Sequence, residues 1–191
     1  GVGGQGILLL SRVIGDAAIR GGVHFVMSEV HGMAQRGGVV TSHVRLGNVH
    51  GPLIAMGCAD VIVAMEPIES LRALDMAGPG TTVISTTRKV IPFTVGVGGD
   101  VYPGLDDVWK RVEAGVKQLI KFDATELAAE AGASIASNVV LLGALTGTRG
   151  LPMELGHMKA ALESNVPPKL RDVNMEAFAR GYELISGERP W

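Results

Sequence analysis

The chain has 191 residues, 47% of them hydrophobic and 19% charged, with a net charge of -2; it holds apolar material for one ordinary core and no basic excess that would grip nucleic acid. Its apolar runs are far shorter than the ~20 residues that span a bilayer, which excludes a membrane partner and makes a cytoplasmic protein the expectation. Cys58 is the single cysteine, so this chain alone can form neither an internal disulfide nor a four-thiolate iron–sulfur cluster.

The chain opens on Gly1-Val2-Gly3-Gly4-Gln5-Gly6, and Ile7, Leu10, Val13, Ile14, Ala17 and Ala18 then fall on one helical face until Gly21-Gly22 stops the helix. Residues 24–27 read as a short strand. Residues 28–38, SEVHGMAQRGG, have neither a helical nor a strand period and are expected to form a long structured loop. Residues 39–46 alternate apolar and polar positions before turn residues at 47–52, as a hairpin or edge strand would. A buried-type strand at 60–65 leads to Glu66-Pro67, which starts a helix expected to reach about residue 77.

A strand at 81–86, a turn-rich stretch at 96–104, a helix at 106–117, a short strand at 120–122 and a helix at 124–131 follow. From Ile135 onward the pattern is helical, with segments at 137–145, 153–163 and 171–185 separated by residues 150–152 and by Pro167-Pro168. Strands alternating with helices predict an α/β fold: a single Rossmann-like three-layer domain over 1–191, with a mostly parallel sheet and a helical C-terminal part. In such a fold a glycine-rich loop at a helix mouth follows a strand, so a first strand is expected before Gly1.

Two segments carry the functional expectation. Gly1, Gly3 and Gly6 match G-x-G-x-x-G, whose bare amides at a helix N-terminus favour a phosphate, and Glu29 lies near the spacing of a ribose-binding acid. With Gly4 and Gln5 these residues form a candidate phosphate-binding or partner-binding loop, and they leave open a free-standing nucleotide-binding oxidoreductase of Rossmann type. Packing of the first helix on the sheet explains the same glycines equally well. The second segment places Ser28, Glu29, His31, Gly32, Met33, Gln35, Arg36, Gly37 and Gly38 in a stretch too polar for a core, the composition of a surface built to touch something. No histidine has companions at metal-ligand spacing, and no base, nucleophile and orienting group can be paired, so no catalytic residue is assigned.

Taken together, GVGGQG and SEVHGMAQRGG resemble the paired signature of the gamma-type domain of 2-oxoacid:ferredoxin oxidoreductases, most closely the beta subunits of its indolepyruvate branch. The likeness continues through Ser42-His43-Val44-Arg45, Glu66-Pro67, Asp123-Ala124-Thr125, Asn138 and Asn174. The resemblance implies a small accessory subunit, inactive alone, that assembles with a large alpha subunit carrying thiamine diphosphate, Mg2+ and iron–sulfur clusters. The complex would oxidatively decarboxylate a 2-oxoacid to an acyl-CoA and reduce ferredoxin, with CoA a possible ligand of the first loop. In keeping with that division, Gly99-Asp100 lacks the next glycine of a thiamine diphosphate motif and Asn138 is not half of an Asn-Asn pair.

Overall fold

A computed structural model describes residues 1–32, 38–90 and 102–191. Helix α1 (Ile7–Arg20) buries Leu10, Val13, Ile14, Ala17 and Ala18, the stripe its sequence period predicts. Strand β1 (Phe25–His31) then pairs antiparallel with β2 (Val40–Leu46) in a register that sets Ser28 opposite His43 and His31 opposite Val40. The strand predicted at 39–46 is present as β2, but it pairs with the strand before it and not across residues 47–52, and Ser28, Glu29 and His31 belong to that earlier strand and not to a loop. Met27, Glu29, Val30 and His31 are all exposed, so this end of β1 has no core-facing side to impose an apolar alternation, and its ladder with β2 alone holds it extended.

Strands β3 (Ala59–Ala64), β4 (Ala77–Thr86) and β5 (Gln118–Phe122) form a parallel sheet in the order β3-β4-β5. Between β3 and β4 lies α2 (Pro67–Arg72), followed by a 3-10 turn (Ala73–Met76). The helix is thus shorter than expected, and β4 starts earlier because Ala77 pairs with Ala59. Helix α3 (Leu105–Gly115) precedes β5; α4 (Ala124–Glu130), α5 (Ser137–Gly147), α6 (Leu155–Asn165) and α7 (Arg171–Ser186) follow it.

Neighbouring residues of β4 point to opposite faces of the sheet, and each finds its own apolar cluster. Val83 packs with Val108, Trp109 and Val112 of α3, while Ile84 joins the larger core built from α1, α5, α6 and α7. Helices therefore cover both faces, which is the three-layer arrangement the alternation predicts. Helix α5 is buried from Asn138 to Gly147 and acts as the central post of the large core. No helix among the described residues is long and apolar enough to cross a membrane.

Candidate functional site

The fold brings together the two segments that the sequence singles out. Val2 bridges Val39 in antiparallel fashion, the Gly3 amide donates to the Gly38 carbonyl at 2.9 Å, and the Val40 amide donates to the Gly1 carbonyl at 2.8 Å. The glycine loop is thereby fastened to the start of β2, beside the C-terminal end of β3. Gln5 locks the turn: its Oε1 accepts from the Val2 amide at 2.7 Å and its Nε2 donates to the Met65 carbonyl at 2.9 Å.

Gly6 takes the N-cap position of α1 with φ of 79°, a left-handed conformation that side chains disfavour. Buried Asn138, at the start of α5, fills the mouth of that helix and donates from Nδ2 to the Gly6 carbonyl at 3.3 Å. The open space lies instead beside Gly4 and Gln5, in a cleft of about 190 Å³ also lined by Met65, Thr86, Arg88, Thr125 and Ser137. It sits past the C-terminal ends of β3 and β4, where ligands of open parallel sheets bind. Motif reading did not connect Thr86, Arg88, Thr125 and Ser137 with the glycine loop, because they come together only through strand ends and helix starts distant in sequence.

Ser28 lies in β1, and its carbonyl accepts from the Ser42 hydroxyl at 3.5 Å, which in turn accepts from the Ser11 hydroxyl at 2.7 Å. Glu29, His31 and Gly32 are exposed, with the Gly32 amide donating to the Val39 carbonyl at 2.7 Å. Glu29 thus sits on the antiparallel ribbon rather than at the end of a strand of the parallel sheet. Met33, Gln35, Arg36 and Gly37, like Gly99 and Asp100, lie outside the described residues.

Two buried ionisable groups flank this region. His43 is 4% exposed and accepts from the Ile54 amide at Nδ1, 3.2 Å away; burial pushes its pKa below the ordinary histidine value, which favours the neutral ring. Glu66 is fully buried, caps α2 by accepting from the Ile68 amide at 2.8 Å, and accepts the Tyr102 hydroxyl. Desolvation raises its pKa against the opposing pull of the Tyr102 hydrogen bond, and burial with the adjacent Glu66 carboxylate raises that of Tyr102. Among the described residues no three His, Cys, Asp or Glu side chains gather as a metal site. Cys58 is exposed, and a lone thiol does not fit a four-thiolate cluster.

Residues 1–184 match the family described as pyruvate ferredoxin/flavodoxin oxidoreductase. The chain is 42% identical over 190 residues to indolepyruvate oxidoreductase subunit IorB of Archaeoglobus fulgidus, covering 100% of this chain and 94% of that protein. It is 44% identical over 183 residues to the protein of the same name from Pyrococcus horikoshii, covering 95% and 91%. Among solved structures, the gamma subunit of a keto/oxoacid ferredoxin oxidoreductase from Geobacter sulfurreducens shares the fold with a TM-score of 0.71 at 21% identity, covering 98% of this chain and 96% of that one. A 2-oxoglutarate:ferredoxin oxidoreductase from Magnetococcus marinus gives 0.72 at 22% identity, with the whole of this chain matching 31% of the longer one. With the match running through the glycine loop, the hairpin, the parallel sheet and nearly all of the C-terminal helices, the chain belongs to the pyruvate ferredoxin/flavodoxin oxidoreductase family.

Proposed function

We propose that this chain is the small subunit of a heteromeric 2-oxoacid:ferredoxin oxidoreductase, acting on indolepyruvate or a related arylpyruvate, and that it supports chemistry performed on a large alpha subunit. The full-length likeness to subunits named for indolepyruvate oxidation carries this reading. The site itself agrees with a supporting role. The polar side chains lining the cleft among the described residues are three hydroxyls, one amide and one guanidinium, groups that orient and bind.

Thiamine diphosphate, Mg2+ and iron–sulfur clusters then belong to the large subunit, where they supply decarboxylation and electron transfer to ferredoxin. In this reading Ser28, Glu29, His31, Gln35 and Arg36 meet that subunit near its reacting centre, and the exposure of Glu29 and His31 supports it. Arg36 suits a carboxylate or phosphate because guanidinium binds such groups in bidentate fashion.

Co-expression with the large subunit followed by indolepyruvate-dependent ferredoxin reduction in the presence of CoA tests the assignment. The complex turns over and the isolated chain does not; turnover by the isolated chain would overturn the supporting role. In the complex, Arg36→Ala leaves assembly intact and lowers turnover by about tenfold or more, as loss of a charge-assisted bond does. Unchanged turnover would remove Arg36 from the reacting centre.

A further inference from the structure

We propose that a second cavity, at the far end of α5 from the glycine loop, binds a small apolar α-amino acid. The cavity measures about 210 Å³ and is lined by Thr146, Arg149, Leu151, Met153, Leu155 and Tyr182, at the meeting of the end of α5, the segment 149–155 and α7. Asn138, at the start of α5, is bonded to Gly6, so ~12 Å of helix separates the glycine loop from Thr146. The strongest pointer is Tyr182. It is 8% exposed, stacks on Phe178 and lines the cavity, yet its hydroxyl has no hydrogen-bond partner among the described residues. A polar group so enclosed is costly to leave unmatched, and a carboxylate in the cavity would accept from it.

Arg149 adds a second donor. Its Nη2 donates to Glu188 Oε2 at 2.9 Å in an ion pair exposed on both sides, and the rest of the guanidinium has no partner among the described residues. Such a pair contributes little, and a guanidinium with a free edge binds a carboxylate in bidentate fashion. Arg149 is also the one non-glycine residue with a positive φ among the described residues, 57°, just past the end of α5. Glycine is the unstrained residue at that place, so the chain carries a guanidinium at the cavity against its local backbone preference.

The remaining lining supplies the other two parts of an amino-acid site. Buried Thr146 donates its hydroxyl proton to the Leu142 carbonyl at 2.9 Å, so its oxygen keeps a lone pair for a donor on the ligand. It stands in the last turn of α5, at the negative end of the helix dipole, which favours an ammonium group. Leu151, Met153 and Leu155 form an apolar wall. The volume is below the ~300–1,000 Å³ of pockets that enclose drug-sized ligands, which limits the ligand to a short aliphatic side chain.

The inference rests on the subunit reading only for the choice of sample, the full-length chain in complex with its large subunit. Isothermal titration with L-leucine is expected to show binding, with 3-methylbutylamine, which lacks the carboxylate, and 4-methylpentanoate, which lacks the amine, each bound about tenfold more weakly. Tyr182→Phe keeps the stacked ring and Arg149→Gly relieves the left-handed backbone, so each weakens leucine binding about tenfold while the thermal transition of the unliganded complex stays in place or rises. Absence of leucine binding, an affinity unchanged by either substitution, or 4-methylpentanoate bound as tightly as leucine would overturn the site as stated. A lower transition in Tyr182→Phe would show that the hydroxyl serves the fold, and counts against the site as well. Assembly and ferredoxin reduction by the unmodified complex are read separately; their failure counts against the subunit reading and leaves the binding result intact.

Discussion

The Glu66 carboxylate is sealed beneath the end of β3, held by the Ile68 amide and the Tyr102 hydroxyl. Burial raises its pKa above the ordinary value of 4.5, so the folded chain keeps this proton to higher pH than the unfolded chain. The resulting stabilisation is complete below pH 4.5 and is lost as pH rises through the raised folded pKa. Urea midpoints measured from about pH 4 to about pH 8 should fall with rising pH through this group, and Glu66→Gln should flatten that component; identical slopes would place the effect elsewhere. Tyr102→Phe removes a donor from a fully buried acceptor and should cost about 1–3 kcal/mol. The sequence showed Glu66 only as a helix start, because its burial depends on Tyr102, 36 positions away. His43 was equally illegible, since its partner is the Ile54 amide across a turn.

Helices α5 and α7 pack backbone against backbone at Gly143, Gly147 and Gly181, and two of these glycines make the tightest contacts. A Cβ on Gly181 would run into the Val140 carbonyl, and one on Gly143 into the Phe178 carbonyl. Both obstacles are backbone, so no side-chain rotation relieves them. Intrinsic propensity favours alanine over glycine in a helix by about 1 kcal/mol, whereas overpacking of a closed core costs about 1–3 kcal/mol. The steric term should win: Gly181→Ala is expected to lower stability by about 1–2 kcal/mol in thermal denaturation, and a gain would show that the helices can slide apart. The helices themselves were legible from period, capping and proline breaks, and all three C-terminal segments lie within a few residues of their expected bounds. Their close approach was not, because a glycine in an apolar run reads the same whether it is a contact or a weak point. The far half of β1 escaped for a different reason: a ribbon exposed on both faces needs no apolar alternation.

At the scale of the molecule, the described residues hold five strands in a ribbon, β1-β2, and a sheet, β3-β4-β5, and the glycine loop is bonded to β2 on one side and to the residue after β3 on the other. Gly1 and Val40 exchange both backbone bonds, Gly1 N to Val40 O at 3.1 Å and Val40 N to Gly1 O at 2.8 Å, the pattern of an antiparallel ladder along β2. On the other side, Gln5 reaches the Met65 carbonyl just past β3, and the edge of β3 away from β4 has no strand partner among the described residues. Val61 and Val63 of β3 are only half-buried although they pack on the large core. A strand placed before Gly1 would lie antiparallel to β2 and parallel to β3 and would join ribbon and sheet into one. A valine- and isoleucine-rich segment as long as the six residues of β3, placed before Gly1, should therefore raise the urea midpoint. Each fully covered aliphatic side chain contributes roughly 1.5–3 kcal/mol at most, and the added buried area should steepen the transition as well. A charged segment of the same length should give neither change, because a chain that cannot enter the core gains nothing from the ladder alone. A midpoint indifferent to both segments would leave β2 and β3 as edges of separate sheets, and the Gly1–Val40 exchange as a local clasp on the loop.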